Sequence, residues 1–272
     1  LSAGRVAGFA ACLSAIFLQR AGDYSNKFYP ALGNLPIPLV LLGVLAICAL
    51  IGAINGTVIA KLKVPPFIAT LGMQTLVYGI CLVYTGAQPI GTFFDTASVS
   101  LMECLGRTGL DFAIIDNEHS PIEAETTAAL VRAAELSGIC PLARVREISR
   151  PAVLKLLDVG VQGLIVPNVK TLDQVRSLVD YAKYYPIGQR GFCPSRKDGW
   201  GFDGLGSVPE TMRHFNGETL LFPQCETAEA LAIIEDICAV DGVDGIFVGP
   251  FDLSISMGIP GQFDAPEFQA AV

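Results

Sequence analysis

The chain has 272 residues, of which 51% are hydrophobic and 16% are charged, and its formal net charge is −8. Residues 1–90 contain five basic side chains and one acidic side chain, so the negative charge is concentrated in residues 91–272. An acidic segment argues against nucleic acid as a partner, because phosphate backbones are bound by basic surfaces. The eight cysteines form no CxxC pair and have no histidine at ligand spacing, so neither a zinc motif nor a disulfide framework is predicted.

The N-terminal part is apolar enough to lie in a membrane. Residues 35–60 and 64–94 contain no charged side chain, and each run is longer than the roughly 20 residues that a membrane-spanning helix needs. A shorter uncharged run covers residues 6–19. We therefore predict an all-α membrane segment over residues 1–90, with helices at about 3–20, 36–60 and 66–86. Buried helices of a soluble protein have the same composition and remain the alternative.

After residue 90, short apolar segments alternate with amphipathic segments, which is typical of βαβ units and a parallel sheet. The predicted strands cover residues 90–94, 112–116, 141–145, 163–167, 220–224 and 245–248. The predicted helices cover residues 122–136, 150–159, 172–183 and 228–238, and a further helix begins near residue 265.

The strands are apolar throughout and end in polar residues, which favours a (β/α)8 TIM-type barrel over a doubly wound sheet. No GxGxxG motif follows a strand and no GxxxxGK(S/T) motif occurs, although these are the usual nucleotide-binding signals of the alternative. Six strands precede residue 272. The predicted α/β domain over residues 91–272 is therefore a barrel that lacks its last two βα units.

Polar side chains follow four of the predicted strands. They are Asp116, Glu118 and His119 after the second strand, Arg144 after the third, Gln224 and Glu226 after the fifth, and Asp252 after the sixth. Because the carboxyl ends of the strands in a barrel meet at one mouth, we expect these side chains to lie close together. Glu226 and Asp252 supply two oxygen ligands, which suits an Mg²⁺ or Mn²⁺ ion that keeps water ligands and accepts a chelating substrate.

Arg144 and His119 complete the predicted chemistry. An arginine beside a metal suits a developing enolate, and a histidine is the natural proton carrier near neutral pH. A single acidic residue at a strand end is more often a helix N-cap, and a single histidine is more often structural. The convergence of four strands is what favours a site, and His214, which has no such neighbours, is assigned a structural role.

Six short motifs are distributed over essentially all of residues 91–272. They are IDNEHSP at 115–121, LLDVG at 156–160, VPNV at 166–169, GQRG at 188–191, QCET at 224–227 and VGPFDLS at 248–254. The set resembles the HpcH/HpaI aldolase family, the metal-dependent class II pyruvate aldolases that act on 4-hydroxy-2-oxo acids and 2-dehydro-3-deoxyglucarate. The resemblance implies pyruvate or another 2-oxo acid and an aldehyde as substrates.

The resemblance also implies roles at the pyruvate end of the site. Glu226 and Asp252 are expected to hold the divalent metal, which is Mg²⁺ or Mn²⁺, with Co²⁺ as a further candidate. Arg144 is expected to contact the C2 oxygen of pyruvate or its enolate. Gln224 and the backbone near Gly249 are expected to line the pyruvate site.

The remaining implied roles concern proton transfer and the aldehyde. His119 matches the acid/base histidine of the family, and Asp116 and Asp158 match acidic residues near it. In the family, the residue at the position of Asp158 acts from a neighbouring subunit, which implies a homo-oligomer. Phe251 is expected to narrow the aldehyde side of the site.

The implied reaction is a retro-aldol cleavage. A base takes the proton of the 4-hydroxyl group, the C3–C4 bond breaks to give an aldehyde, and Arg144 with the metal stabilises the pyruvate enolate. Lys170 is the rival, as the Schiff-base lysine of a class I mechanism.

Residues 1–90 carry a separate resemblance. LSAGR at 1–5, GAING at 52–56 and KVPPFIATLG at 63–72 resemble ribose-type ABC sugar permeases. This resemblance implies a permease fragment fused to the aldolase at residues 88–91, with the aldolase domain in the cytoplasm and the chain at the bacterial inner membrane. Two alternatives to a lyase remain: a transport component with an inactive aldolase-like tail, and a non-catalytic packing module.

Overall fold

The computed structural model describes residues 36–61, 63, 69, 89–202 and 205–272. The chain divides into two compact units. One comprises the described residues up to Ile90 together with Glu103–Asp111, and the other comprises Gly91–Met102 and Phe112–Val272. The helices predicted at about residues 3–20 and 66–86 lie outside the described residues, apart from position 69.

Helix α1, Ile37–Ala60, has 24 residues and agrees with the prediction at 36–60. It begins directly after Pro36, and at its end the N–H of Lys61 donates to the carbonyl oxygen of Thr57 at 2.8 Å. Apolar side chains along it are exposed, with Leu42 and Leu45 at 65% each. By length and composition, α1 is the one helix in the described part of the chain that could cross a membrane.

Six parallel strands form one sheet in sequence order. The strands are β1 (Gly91–Phe94), β2 (Phe112–Asp116), β3 (Cys140–Arg144), β4 (Gly163–Val166), β5 (Leu220–Cys225) and β6 (Phe247–Val248). The first five agree with the predicted strands to within one residue at each end, whereas β6 starts later than the predicted residue 245. There the side chain of Asp244 accepts the N–H of Leu221 at 2.8 Å, and Gly245 lies against the ring of Phe222.

Helices follow the strands, as a βαβ arrangement requires. They are α2 (Val99–Gly106), α3 (Ala124–Ser137), α4 (Arg150–Asp158), α5 (Leu172–Ala182), α6 (Val208–Glu218), α7 (Ala228–Ala232), α8 (Ile234–Cys238), α9 (Pro250–Ser256) and α10 (Pro266–Gln269), with a 3-10 turn at Arg196–Gly201. Side-chain caps fix three of the starts: Ser149 accepts from the N–H of Ala152, Thr171 from that of Gln174, and Thr227 from that of Ala230. The helix predicted at 228–238 is divided at Ile233, whose φ of −121° and ψ of 22° are not helical.

The inner face of the sheet forms a compact apolar core. Ile114, Leu142 and Ile165 are its buried centre, and Phe222 and Phe247 pack among the side chains around it. Phe247 of β6 also meets Phe93 of β1 edge to face, with 5.8 Å between the ring centroids. The sheet therefore curls so that side chains of its first and last strands touch. This parallel, six-stranded half-barrel agrees with the predicted TIM-type architecture at the level of the α/β fold.

Candidate active site

The strand register brings Asp116 and Arg144 face to face. They are the last residues of β2 and β3 and are paired in the sheet. Arg144 donates from Nε to Oδ1 of Asp116 at 3.0 Å and from Nη2 to Oδ2 at 2.6 Å. Its guanidinium carbon lies 4.8 Å from the ring centroid of Phe93. These contacts fix the guanidinium and leave Nη1 without a hydrogen bond to any described residue.

The carboxylate of Asp116 also shapes the loop that follows β2. Its Oδ1 accepts the backbone N–H groups of Glu118 at 3.0 Å and His119 at 3.3 Å. Burial would raise the pKa of Asp116, but the hydrogen bonds from Arg144 and from the two backbone groups outweigh it, so the pKa lies below its ordinary value. Asp116 is therefore a charged anchor, and its bond to His119 goes to the backbone and not to the imidazole ring.

Glu118 lies between the two residues assigned to the reaction. Its Oε2 is 3.2 Å from Nε of Arg144 and 3.7 Å from Nε2 of His119. The Glu118 side chain is 21% exposed, whereas the His119 side chain is 67% exposed. Burial raises the pKa of Glu118, partly offset by the positive charge of Arg144. Glu118 was grouped with the polar residues that follow β2 but was assigned no role of its own, and its place beside His119 in the motif at 115–121 was the available signal.

Asn117 holds this loop against the neighbouring elements. Its backbone N–H donates to the carbonyl oxygen of Arg144 at 3.0 Å. Its side-chain Nδ2 donates to the carbonyl oxygen of Ile122 at 3.0 Å and to Oγ1 of Thr127 at 2.9 Å. The loop that carries Glu118 is thereby tied both to β3 and to α3.

Glu226 and Gln224 form a buried pair at the end of β5. Nε2 of Gln224 donates to Oε2 of Glu226, and the backbone N–H of Asn168 donates to Oε1. Asn168 adopts a φ of 54°, a left-handed conformation that asparagine tolerates better than most residues. Burial raises the pKa of Glu226, and the negative charge of Asp252 also raises it. The hydrogen bond from Asn168 lowers the pKa but does not outweigh these two effects.

Because Gly249 has no side chain, there is room beside it for the side chains of Gln224 and Glu226. A Cβ at this position would lie 2.7 Å from Nε2 of Gln224 and 2.9 Å from Oε2 of Glu226. The N–H of Gly249 donates to the carbonyl oxygen of Cys225 at 3.0 Å. Because that N–H is already engaged, Gly249 contributes to the site by lacking a side chain and not as a free donor.

Asp252 lies in the first turn of α9, directly after β6. Glu226 directly follows β5, which pairs with β6, so the two predicted metal ligands follow adjacent strands of the sheet. Within the ranges that the structure describes, no group of three or more His, Cys, Asp or Glu side chains is arranged to hold a metal. Phe251, on the same turn, is 67% exposed and packs its ring edge to face on Phe263 at 5.0 Å.

The structure does not bring Asp158 to this group of residues. Asp158 is the last residue of α4, and a helix that returns from the carboxyl end of β3 ends near the opposite edge of the sheet. There Asp158 pairs with Nη2 of Arg190 at 2.7 Å and lies 3.8 Å from Nζ of Lys197. Asp158 therefore lies apart from the strand-end residues of its own chain, and the expectation that it acts from a neighbouring subunit stays a prediction. Lys170, the class I rival, is exposed.

A cavity of about 560 Å³ lies at this opposite edge. Its lining includes Arg190, Arg196 and His214. Most of its positive charge is paired, because Arg196 binds Glu135 and Arg190 binds Asp158. His214 meets the ring of Phe215 edge to face, with 5.1 Å between the ring centroids, and its structural role stays a prediction.

A parallel curled sheet with an arginine and buried carboxylates at its strand ends is the arrangement of a carbon–carbon lyase of the aldolase type. The family model described as HpcH/HpaI aldolase/citrate lyase matches residues 89–272, and the chain belongs to this family. The predicted family resemblance over residues 91–272 is thus confirmed.

Curated relatives of this domain are named as aldolases. The hydroxypyruvate/pyruvate aldolase of Sagittula stellata is 36% identical over 187 residues, which cover 69% of this chain and 72% of the relative. The 2-keto-3-deoxy-L-rhamnonate aldolase of Escherichia coli O1:K1 is 33% identical over 189 residues, 69% of each chain. The chain is accordingly an aldolase-type carbon–carbon lyase.

Solved structures agree with this assignment. The HpcH/HpaI aldolase from Desulfitobacterium hafniense DCB-2 superposes with a TM-score of 0.63 at 30% identity, covering 70% of this chain and 73% of the other. The citrate synthase SbnG superposes with a TM-score of 0.61 at 33% identity, covering 70% and 72%. The family match begins at residue 89, so the permease resemblance of residues 1–90 stays a prediction.

Proposed function

We propose that the chain is a divalent-metal-dependent aldolase that cleaves a 4-hydroxy-2-oxo acid, such as a 2-dehydro-3-deoxy sugar acid, to pyruvate and an aldehyde through a pyruvate enolate. The observation that carries the proposal is that Arg144, bound to Asp116 by two hydrogen bonds, ends β3, and the buried carboxylate of Glu226 directly follows β5, so that both lie at the carboxyl ends of strands in one parallel sheet. The relatives named as pyruvate and keto-deoxy acid aldolases support this substrate class.

Glu226 and Asp252 would hold the metal ion. The residues present fit a hard cation, because Oε1 of Gln224 beside Glu226 is buried and has no hydrogen-bond partner among the described residues. A hard cation held by two carboxylates keeps several water ligands, and one such ligand can donate to Gln224. When bound, Mg²⁺ or Mn²⁺, with Co²⁺ as a further candidate, would polarise the 2-oxo group and favour the enolate.

Arg144 would stabilise the negative charge that develops on the C2 oxygen. Asp116 occupies its Nε and Nη2 groups, so the free Nη1 is the donor that the substrate would meet. A guanidinium held in place before the reaction stabilises a developing charge without reorganisation during the step. Gln224 and Gly249 would form the wall beside the pyruvate portion.

His119 would move the proton at the 4-hydroxyl group. Its side chain is 67% exposed, so it lies at the open side of the site, where the longer portion of a sugar acid would extend. Phe251, also exposed, would border the aldehyde portion. We propose in addition that the chain forms a homo-oligomer in which Asp158, whose side chain is 28% exposed, approaches a neighbouring subunit's site.

The apolar helix α1 would attach the enzyme to a membrane. Its exposed leucines favour a lipid environment over water. Within this proposal the aldolase domain faces the cytoplasm, and residues 1–90 are a permease-type fragment that serves as an anchor. The competing proposal is that the chain is a membrane component of a sugar transporter and that its aldolase-like domain is inactive.

Pyruvate release by the detergent-purified chain tests the proposal. A racemic 4-hydroxy-2-oxo acid is supplied with Mg²⁺ or Mn²⁺, or with EDTA, and pyruvate is measured with lactate dehydrogenase. We expect release that depends on the metal and is retained by Lys170→Ala. Release that persists in EDTA and is lost in Lys170→Ala would favour a class I mechanism, and no release from the folded chain would contradict aldolase activity.

A further inference from the structure

One carboxylate oxygen of Glu118 is buried between Arg144 and His119, and the reaction proposed above does not use it. We propose that Glu118 is a positioning residue, whose carboxylate holds the guanidinium of Arg144 and the ring of His119 in a fixed relation to each other. This inference rests on the proposed function, because it assigns Glu118 to the same reaction.

One oxygen atom of Glu118 makes both contacts. Oε2 lies 3.2 Å from Nε of Arg144 and 3.7 Å from Nε2 of His119. The atom is buried, and no described residue gives it a hydrogen bond of good geometry. The contacts are therefore electrostatic, and a carboxylate in this position attracts whichever of the two groups is positively charged.

Asp116 cannot perform this function for His119. Both of its oxygens are engaged, with Nε and Nη2 of Arg144 and with the backbone N–H groups of residues 118 and 119. Its contact with His119 is to the backbone, so it does not orient the imidazole ring. Among the described residues, Glu118 is the acidic side chain paired with that ring.

The loop places Glu118 with little freedom. The N–H of Glu118 donates to Asp116 at 3.0 Å, and the preceding Asn117 is tied to Arg144, Ile122 and Thr127. A rigid loop that delivers a charged side chain between two reacting groups is a way to hold both in productive geometry. The exposed ring of His119 makes its ion-pair contact, among the described residues, with Glu118, and the charge of Glu226 acts on it as well.

The reaction would depend on Glu118 through these two residues. With its charge removed, Arg144 would be held by Asp116 and the ring of Phe93, and Nη1 would be less firmly directed at the C2 oxygen. The His119 ring would be free to turn towards solvent. We therefore expect a slower chemical step and weaker binding of an enolate mimic, with metal binding unchanged.

Glu118→Gln is the informative variant, because it removes the charge and keeps the shape. In the full-length chain we expect kcat for pyruvate release to fall about tenfold, less than the roughly 10²–10³-fold loss for a donor that contacts the oxyanion directly, because Glu118 acts through Arg144 and His119, while KM changes less than about twofold. Glu118→Asp, which keeps the charge but shortens the side chain, should recover part of the rate. The matched control is Glu123→Gln, which breaks an exposed ion pair with Arg146 and should leave kcat unchanged.

Two readouts separate positioning from a general structural effect. In a His119→Ala background, the effect of Glu118→Gln should shrink to under about twofold, because residues that act as one unit are not additive. Calorimetry should show at least about tenfold weaker binding of oxalate, a planar mimic of the enolate, with Mn²⁺ affinity unchanged. Circular dichroism checks that each variant is folded.

The outcomes distinguish the two levels of the proposal. A parent chain that releases no pyruvate overturns the proposed function, and this inference falls with it. A parent chain that is active, with kcat and oxalate affinity unchanged in Glu118→Gln, overturns the positioning role alone. Full additivity with His119→Ala would overturn the link to the ring.

Discussion

Arg144 and Asp116 form a two-point ion pair at the carboxyl ends of adjacent strands, with Nε–Oδ1 at 3.0 Å and Nη2–Oδ2 at 2.6 Å. Their side chains are 12% and 8% exposed, so the pair is held largely out of water. The parallel register of β2 and β3 sets this contact, because it places the two residues opposite each other. A buried arginine held in this way has only part of its donor capacity left for a substrate.

Replacing Asp116 by Asn should make stability depend less on pH. The folded-state pKa of Asp116 lies below its ordinary 3.8, so its stabilisation is present above that pH and is lost as pH falls through the lower folded value. We expect Asp116→Asn to cost roughly 1–3 kcal/mol at neutral pH, the usual range for charged hydrogen bonds.

Thermal unfolding between pH 3 and pH 7 measures this effect. The melting temperatures of the parent and Asp116→Asn should differ by several degrees at pH 7 and converge as the pH falls below about 4. The control is Asp173→Asn, whose side chain is 90% exposed and which should match the parent throughout. A difference that stays constant over the whole pH range would contradict the lowered pKa.

Glu226→Gln and Asp252→Asn should each abolish tight binding of Mn²⁺. Each variant removes one of the two charged oxygen ligands. A single protein carboxylate is then left to hold the cation, which is too few for tight binding. Isothermal titration in detergent measures the affinity. Glu229→Gln, an exposed residue three positions further along, is the matched control and should bind as the parent does. Full affinity in both carboxylate variants would refute the metal assignment.

Gly249→Ala should damage the site while the fold persists. The added methyl group would lie 2.7 Å from Nε2 of Gln224 and 2.9 Å from Oε2 of Glu226, so the buried pair must move. We expect kcat/KM to fall at least about tenfold, because a small displacement of positioned groups is costly. Gly217→Ala is the control, since a Cβ there meets nothing within 4 Å and should leave activity intact. Parental kcat/KM in Gly249→Ala would show that the close packing is not required.

Arginine substitutions in α1 should release the chain from membranes. Leu42 and Leu45 are each 65% exposed, and an arginine near the centre of a spanning helix costs roughly 2.5–3.5 kcal/mol on insertion scales. After alkaline carbonate extraction, the parent should stay in the membrane pellet and the double Arg variant should move to the supernatant. Leu136→Arg, on the exposed side of α3, should pellet like the parent. A parent that is extracted by carbonate would argue against insertion.

The sequence predicted what depends on local pattern. Five strands follow from runs of apolar residues, and the contact of Asp116 with Arg144 follows from the rule that parallel strand ends share one edge. The start of β6 was missed because the pairing of Asp244 with Leu221 is a tertiary contact that no local pattern contains.

The sequence was least informative about side-chain partners. Asp158 and Asp116 are both acidic residues in family motifs, and only the direction of α4 separates them in space. Likewise, the motif that contains Glu118 and His119 does not show which carboxylate lies near the ring, because that depends on how the loop folds back on Asp116.

Exchange of the pyruvate methyl protons with deuterium tests most directly whether this site forms a metal-dependent enolate. The detergent-purified chain is incubated with pyruvate and Mg²⁺ in D₂O, and the methyl signal is followed by proton NMR. We predict loss of the signal with Mg²⁺, none above background in EDTA, and a rate at least about 10²-fold lower in Arg144→Ala with metal affinity retained. Exchange that proceeds equally in EDTA or in Arg144→Ala would contradict the account.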